Sequence, residues 1–220
     1  MNISRNEIRR YLGMMKAPAE SDMDALIEEC VQMLEKAAVC RHVYERYPLE
    51  WKDGYPCVEG NVIQSRNLAK NLEGCTDIVI MACTLGADVD RLISRYNLIS
   101  LSKAAVLQAS AAAMIEEVCD EVNEEIRANA AKQCLFARPR FSPGYGDLSL
   151  ETQKLIFTLI NLPKRIGLTL NDSLLMTPFK SVTAFIGLSP AEKTGGKSGC
   201  ELCTMSPVCE YKNEHEEEIS

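Results

Sequence analysis

Two arginines, one tyrosine and a stiff backbone occur together in Arg138–Asp147, a stretch that reads RPRFSPGYGD. Arginine offers a planar pair of donors to a carboxylate, and glycine lets a ligand approach the backbone where a Cβ would block it. These residue types suit a small ligand with a carboxylate and a flat ring. A surface turn is the alternative, since proline and glycine are also the usual turn residues. Both interpretations remain open for this stretch taken alone.

Three carboxylates recur at four-residue intervals in the longest helical segment, at Glu116, Asp120 and Glu124. This spacing places them on one ridge of a helix, beside an apolar stripe. Charges at a helical period usually mark a solvent-exposed face, and this is the favoured interpretation of the ridge. Ligand binding is the alternative.

The chain has 10 cysteines, and three of them form a C-x2-C-x5-C cluster at Cys200, Cys203 and Cys209. Three thiolates within ten residues suit zinc or an iron–sulfur cluster, although no fourth ligand is evident. Accidental cysteines in a disordered tail are the alternative, but apolar residues lie among them. The other seven stand singly in apolar surroundings and are predicted to be buried thiols. They are Cys30, Cys40, Cys57, Cys75, Cys83, Cys119 and Cys134.

The net charge of −7 argues against nucleic-acid binding, because an acidic surface repels phosphates and no basic cluster reverses this locally. No apolar run approaches the roughly 20 residues of a membrane span, and the amino terminus has no apolar export core. We therefore expect a cytoplasmic protein without disulfides. With only two histidines, the chain has little material for histidine-based catalysis.

Apolar periodicity and capping residues predict helices over much of the first two thirds of the chain. They cover residues 3–14, 21–39, 65–72, a segment after Gly86, and a long helix over 102–130. The apolar run 77–83 is predicted to be a central strand, whereas Pro48 places the aromatic segment 42–51 at a sheet edge. A further short strand is predicted around Val58 and Val62.

Beyond the glycine-rich stretch, the pattern predicts a helix over 151–159, a short helix ended by Gly167, and strands around Leu174 and 182–186. Helices and short strands alternate without βαβ regularity. The predicted fold is α+β, with long helices packed on an antiparallel or mixed sheet in one elaborated domain. We expect this domain to span residues 1–190 and a flexible tail with the cysteine cluster to span 191–220.

Two ordered motifs resemble a known family. RFSPGYGDLSLETQKLIFTLIN is followed by IGLTLNDSLLMTPFKSVTAFIGLS. An arginine, a small residue, Pro-Gly-Tyr and a later S-x-x-M-x-P-x-x-S-V stretch recur in this order in the reactivation domain of cobalamin-dependent methionine synthase. The close match covers about residues 140–189. The resemblance implies that residues 1–190 are a stand-alone version of that domain.

The resemblance also implies a binding groove for S-adenosylmethionine. Arg140 would pair with the methionyl carboxylate of the ligand. The backbone at Ser142 and Gly144 would hydrogen-bond the ligand, and Tyr145 would cover one side of the site. No residue of the chain is expected to act as a catalytic acid, base or nucleophile.

In the family an acidic residue of the long helix receives the ammonium group of the ligand. Glu116 is the first candidate for this role, and Asp120 is the second. The sequence departs from the family at Ile186, where a second aromatic hydroxyl is expected. One hydrogen bond to the ligand would therefore be missing, and stacking would be left to Phe185 or Tyr145.

A reactivation domain implies a partner. The chain is predicted to dock on cobalamin-dependent methionine synthase or a related corrinoid methyltransferase and to support reductive methylation of its cob(II)alamin. It would be an accessory subunit rather than an independent enzyme, and an iron–sulfur cluster on the tail cysteines would relay the electron. Two alternatives are an interaction module that no longer binds the methyl donor and an independent methyltransferase. The latter needs a base or nucleophile, and none is evident.

Overall fold

The computed structural model describes residues 3–14 and 21–192 of the chain. Within them the chain forms helices and strands in mixed order, so the predicted α+β class is confirmed. The helices are α1 (Arg5–Tyr11), α2 (Ser21–Ala37), α3 (Arg66–Asn71), α4 (Ala87–Ile99), α5 (Leu101–Ala131), α6 (Thr152–Ile160) and α7 (Leu162–Ile166). The strands are β1 (Arg41–Pro48), β2 (Glu50–Lys52), β3 (Tyr55–Val58), β4 (Asn61–Val62), β5 (Asp77–Thr84), β6 (Phe136–Ala137), β7 (Thr169–Leu170), β8 (Met176–Thr177) and β9 (Ser181–Ser189).

The predicted helices are confirmed, and their ends follow capping chemistry. The Ser4 hydroxyl accepts a hydrogen bond from the Glu7 amide at the start of α1. The Ser65 hydroxyl does the same for the Leu68 amide at the start of α3. A serine at this position satisfies one of the backbone N–H groups that the first helical turn leaves without a partner.

The largest sheet has the strand order β1-β5-β9-β6. β5 is therefore an inner strand, and its residues from Ile78 to Thr84 are all buried. β1 lies at the edge, as Pro48 predicted, because a proline cannot donate a ladder hydrogen bond. The predicted segment 42–51 is not one strand, since β1 ends at Pro48 and Glu50–Lys52 form β2 of a separate sheet. β6 pairs with β9 antiparallel, with Phe136 opposite Ser189.

Two short strand predictions differ from the structure. Val58 and Val62 lie on separate strands, β3 and β4, which pair antiparallel with Val58 opposite Asn61. The strand predicted around Leu174 is wrong. Leu174 has a φ of 61° and lies in the loop between β7 and β8, where the Asn171 side chain accepts a hydrogen bond from the Leu175 amide. A positive φ is incompatible with a strand, and asparagine readily supports such a turn.

The chain forms two compact units, each made from separate segments. One unit consists of the described residues of Met1–His42 together with Cys83–Val122 and Ile166–Val182. In this unit α2 packs against α4, and the Val39 amide donates a hydrogen bond to the Leu85 carbonyl. The alanines of α5 at 104, 109, 111 and 113 are all buried. Small side chains on this helix let neighbouring elements pack close to its backbone.

The other unit consists of Val43–Ala82, Asn123–Arg165 and the described residues of Thr183–Ser220. It contains most of β1, β5 and β9, together with the small antiparallel sheet β2-β3-β4. Its core is built on Phe185 and Ile186 of β9, on Leu68 of α3 and on Leu72 at the end of α3, all of them fully buried. In neither range of described residues is a helix long and apolar enough to cross a membrane.

Candidate ligand-binding site

The motif segment folds into two consecutive turns. The Tyr145 amide donates to the Ser142 carbonyl at 3.1 Å, and the Leu148 amide donates to the Tyr145 carbonyl at 3.0 Å. Pro143 follows the first residue of the first turn, and Gly144 has a φ of 91°. This combination is the signature of a type II turn. The Gly144 amide donates to the Leu148 carbonyl at 2.8 Å and closes the loop.

Gly144→Ala is expected to lower the stability of the chain by about 1 kcal/mol or more, because an L residue rarely adopts the φ found here. The added Cβ would lie 3.4 Å from Leu150 Cδ1, so the cost is conformational rather than steric. Thermal unfolding should show a Tm lower by roughly 2–4 °C. Ser94→Ala on the exposed face of α4 is the control. An unchanged Tm for Gly144→Ala would contradict the turn geometry.

The segment before the turns runs along β9. Phe141 and Phe185 exchange both backbone hydrogen bonds at 2.9 Å, and Ala137 pairs with Leu188 further along. The Tyr145 ring contacts the Phe141 ring edge-on, with 5.3 Å between centroids and an angle of 79°. Edge-to-face packing of this kind restrains both rings. A buried phenylalanine in register with a core strand therefore positions Tyr145.

The two arginines of the motif have different environments. Arg138 is only 7% exposed, its amide donates to the Gly187 carbonyl at 2.8 Å, and its Nη2 donates to the Glu73 carbonyl at 3.4 Å. Its stem packs over Gly187, where an added Cβ would lie 3.3 Å from Arg138 Cγ. Arg140 is half-buried. Arg138 is therefore held in backbone contacts, and Arg140 is the less buried of the two arginines.

Asp147 closes the loop against the start of α3, a role that sequence analysis missed. Its carboxylate accepts hydrogen bonds from the Ser65 hydroxyl at 2.5 Å, the Arg66 amide at 2.8 Å and the Asn67 amide at 3.2 Å. Partial desolvation would raise the pKa of Asp147, but the hydrogen bonds from Ser65 and the two amides outweigh it and hold the pKa below its usual range. The partners are about 80 residues away in sequence, so no local signal indicated this contact.

The acidic ridge of α5 does not have one uniform environment. Glu116 is half-buried, while Asp120 and Glu124 are exposed. Burial of the Tyr11 phenol, together with the nearby negative charge of Glu116, raises the pKa of Tyr11. Glu124 forms an ion pair with Arg127 at 2.6 Å. The interpretation of the ridge as a solvated face therefore holds for Asp120 and Glu124 but not for Glu116.

Comparison with known proteins decides the family. The family model for the activation domain of vitamin B12 dependent methionine synthase matches residues 60–194, more than half of the 220 residues. The chain belongs to this family. Among curated protein sequences none matches the chain.

The fold of this activation-domain chain is similar to that of a solved relative. The crystal structure of the MetH reactivation domain bound to AdoHcy superposes with a TM-score of 0.62 and 15% sequence identity. The match covers 84% of this chain and 76% of that chain. At this identity the similarity establishes a shared fold, and it confirms the resemblance inferred from the two motifs.

The second motif of the activation-domain family forms the connection into β9. The Ser181 hydroxyl donates to the Pro178 carbonyl at 2.7 Å and lies 2.8 Å from the Thr84 hydroxyl at the end of β5. Lys180 is half-buried, and its Nζ donates to the Gln108 carbonyl of α5 at 3.2 Å. Burial lowers the pKa of Lys180. The hydrogen bonds of Ser181 with Pro178 and Thr84 therefore fix the position of the start of β9 within one compact unit.

Ile186, where the resemblance predicts an aromatic hydroxyl, lies inside the core. Ile186 and Phe185 are both 0% exposed. The Phe185 ring is therefore fully buried, whereas the Tyr145 ring is half-buried.

The tail cysteines Cys200, Cys203 and Cys209 lie outside the described residues. Within residues 3–14 and 21–192, no group of three or more histidine, cysteine, aspartate or glutamate side chains is arranged to bind a metal ion. Of the seven single cysteines, five are buried as predicted, and burial raises the pKa of Cys30 to about 11. The prediction is wrong for Cys40 and Cys134, which are exposed. Cys134 lies in the turn after α5 with a φ of 57°, where the chain has left the packed helix.

An open depression lies beside α3. Its volume is about 460 Å³. The lining residues are Trp51, Gly54, Ala69, Lys70, Glu73 and Gly74. None of them is a predicted site residue, but the Glu73 carbonyl also accepts the hydrogen bond from Arg138.

Proposed function

We propose that the chain binds S-adenosylmethionine and presents its methyl group to the cobalamin of a separate corrinoid protein. The observation that carries the proposal is the turn from Arg140 to Tyr145, which is built on a core strand in a chain of the activation-domain family. A relative with the same fold was crystallised with AdoHcy, the demethylated product of this methyl donor. In this proposal the motif is a turn, as one interpretation held, and the same turn binds the ligand, as the other held.

The motif side chains fit the donor chemically. Arg140 would hold the methionyl carboxylate through two parallel hydrogen bonds. Tyr145 would cover one side of the ligand, and the backbone at Ser142 and Gly144 would contact it. The Gly144 amide already donates to the Leu148 carbonyl. Gly144 would therefore interact with a ligand through its carbonyl oxygen, as a hydrogen-bond acceptor. A carbonyl accepts hydrogen bonds, so it would face an amino or hydroxyl group of the donor.

The ammonium group of the donor requires a carboxylate. We propose Glu116 for this role, and Asp120 as the second candidate. Glu116 is half-buried and Asp120 is exposed, and a charge interaction is stronger where less water screens it. The same partial burial supports Glu116 as the preferred partner.

The proposed reaction consumes one electron and transfers one methyl group. An external one-electron reductant of low potential reduces cob(II)alamin, and the reduced cobalt attacks the methyl carbon of S-adenosylmethionine. The sulfur–carbon bond breaks, the cobalt–carbon bond forms, and S-adenosylhomocysteine leaves. Methyl capture draws the unfavourable reduction forward. The chain itself contributes proximity and orientation of the donor, since the cobalt supplies the nucleophile.

The partner in this proposal is cobalamin-dependent methionine synthase or a related corrinoid methyltransferase. The chain would serve it as an accessory subunit in the cytoplasm. Residues 1–190 would form the activation-like domain, within which the family match begins at residue 60. Residues 191–220 would form a tail that carries the cysteine cluster.

We propose that the tail cysteines Cys200, Cys203 and Cys209 bind a metal. Anaerobically purified protein is expected to contain iron with brown iron–sulfur absorption, or zinc without colour. Only iron would relay the electron. Elemental analysis and absorption spectra measure this, and Cys203→Ser is expected to lose the metal. Cys134→Ser, which removes an exposed cysteine from the described part of the chain, is the control. Metal-free wild-type protein would contradict the proposal.

Isothermal titration calorimetry of the whole chain with S-adenosylmethionine tests the central proposal. One saturable site per chain is the expected result. S-adenosylhomocysteine should compete for it, because it retains the carboxylate, the ammonium group and the adenosine. Absence of binding to both compounds would overturn the proposed function.

A further inference from the structure

We infer that Asp147 is a positioning residue for the ligand-binding turn, an inference that rests on the proposed function. Asp147 would not contact the donor itself. Its carboxylate would hold the loop that carries Arg140 and Tyr145 against the first turn of α3. The geometry that supports this role involves three hydrogen bonds and two further contacts between the loop and α3.

Both oxygens of the Asp147 carboxylate accept hydrogen bonds from the start of α3. One oxygen accepts from the Ser65 hydroxyl and the Asn67 amide, and the other accepts from the Arg66 amide. The Ser65 hydroxyl also accepts the hydrogen bond from the Leu68 amide. Ser65 thus caps its own helix and donates to the loop, and hydrogen bonds to an ionised carboxylate are stronger than those between neutral groups. The lowered pKa of Asp147 is consistent with this arrangement.

The loop contacts α3 at two further points. A Cβ added at Gly146 would collide with the side-chain nitrogen of Asn67. At the other end of the loop, the Asn71 side chain donates to the Pro139 carbonyl at 3.4 Å. The contacts of Pro139, Gly146 and Asp147 with α3 therefore enclose the residues between them, including Arg140 and Tyr145.

The loop from Pro139 to Asp147 requires hydrogen bonds that hold it in place, because its backbone is intrinsically flexible. Gly144 and Gly146 both have positive φ values, 91° and 56°. Glycine loses more conformational freedom on ordering than any other residue, so a loop with two of them is costly to hold in one geometry. A ligand that has to order the loop binds more weakly than one that meets it already ordered. Asp147 is itself exposed, so its contribution to the hydrophobic core is small.

Calorimetry with S-adenosylmethionine on Asp147→Ala and Asp147→Asn tests the inference. Asp147→Ala is expected to weaken binding roughly tenfold, through loss of charge-assisted hydrogen bonds. Asp147→Asn should recover part of the affinity, because its carbonyl oxygen still accepts from a backbone amide. Asp172→Ala removes an exposed aspartate from the loop between β7 and β8 and should bind as the wild type does.

Hydrogen exchange at two loop amides provides a readout that does not need the ligand. The amides of Gly144 and Leu148 close the loop, and both should exchange faster in Asp147→Ala while the Tm changes by only a few degrees. Unchanged exchange, or equal affinity in Asp147→Ala and wild type, would overturn the positioning role alone. A wild-type chain that fails to bind the donor would overturn the proposed function and the positioning role with it.

Discussion

Arg140→Lys is expected to bind S-adenosylmethionine about ten- to a hundredfold more weakly than the wild-type chain. Loss of a bidentate, charge-assisted contact costs roughly 1.5–3 kcal/mol. Lysine keeps the positive charge but presents a point donor rather than a planar fork, so the substitution isolates geometry from charge. Calorimetry measures the effect directly. Arg140→Ala should weaken binding at least as much, because it removes the charge as well.

The matched control for this experiment is Arg95→Lys. Arg95 is an exposed arginine of α4, and its replacement should leave the affinity unchanged. Thermal unfolding of each variant separates a lost contact from a lost fold, which matters because Arg140 is half-buried. If Arg140→Lys and the wild type bind S-adenosylmethionine equally, Arg140 does not contact the carboxylate, and the assignment of the motif is wrong.

The second large effect concerns the corrinoid partner. Mixed with a corrinoid methyltransferase, S-adenosylmethionine and a strong one-electron reductant, the chain is expected to convert the partner's cob(II)alamin spectrum to that of methylcob(III)alamin. Without the chain the conversion should be far slower. The chain and the donor without the corrinoid protein should show no turnover, since the cobalt supplies the nucleophile.

The same mixture distinguishes the three functions considered for this sequence. An interaction module would bind the corrinoid protein without conversion that depends on S-adenosylmethionine. An independent methyltransferase would consume the donor with no corrinoid present. Arg140→Ala should abolish conversion at limiting donor concentration. Conversion that proceeds equally well with this variant would show that the donor binds elsewhere, even if the partner is correct.

Local chemistry determined the elements of this fold. The helices from α1 to α7 follow from apolar periodicity and from caps such as Ser4 and Ser65, whose partners are three residues away. β5 follows from its unbroken apolar run, and the edge position of β1 follows from Pro48. These signals are short-range, and they need no knowledge of the rest of the chain. The wrong strand prediction at Leu174 shows the limit of local signals, since no sequence pattern distinguishes an apolar residue in a positive-φ loop from one in a strand.

The motif sequences determined the family and the candidate residues for the ligand, because both depend on residue types in a fixed order. Tertiary structure decided how deeply each of those residues is buried. Arg138 and Arg140 are two residues apart and alike in the sequence, yet only Arg138 is buried, against Gly187 of β9. Asp147 is an ordinary turn residue in the sequence, and its partners near residue 65 lie about 80 positions away. Contacts over such separations depend on how the strands and α3 pack, and no periodicity or local spacing encodes them.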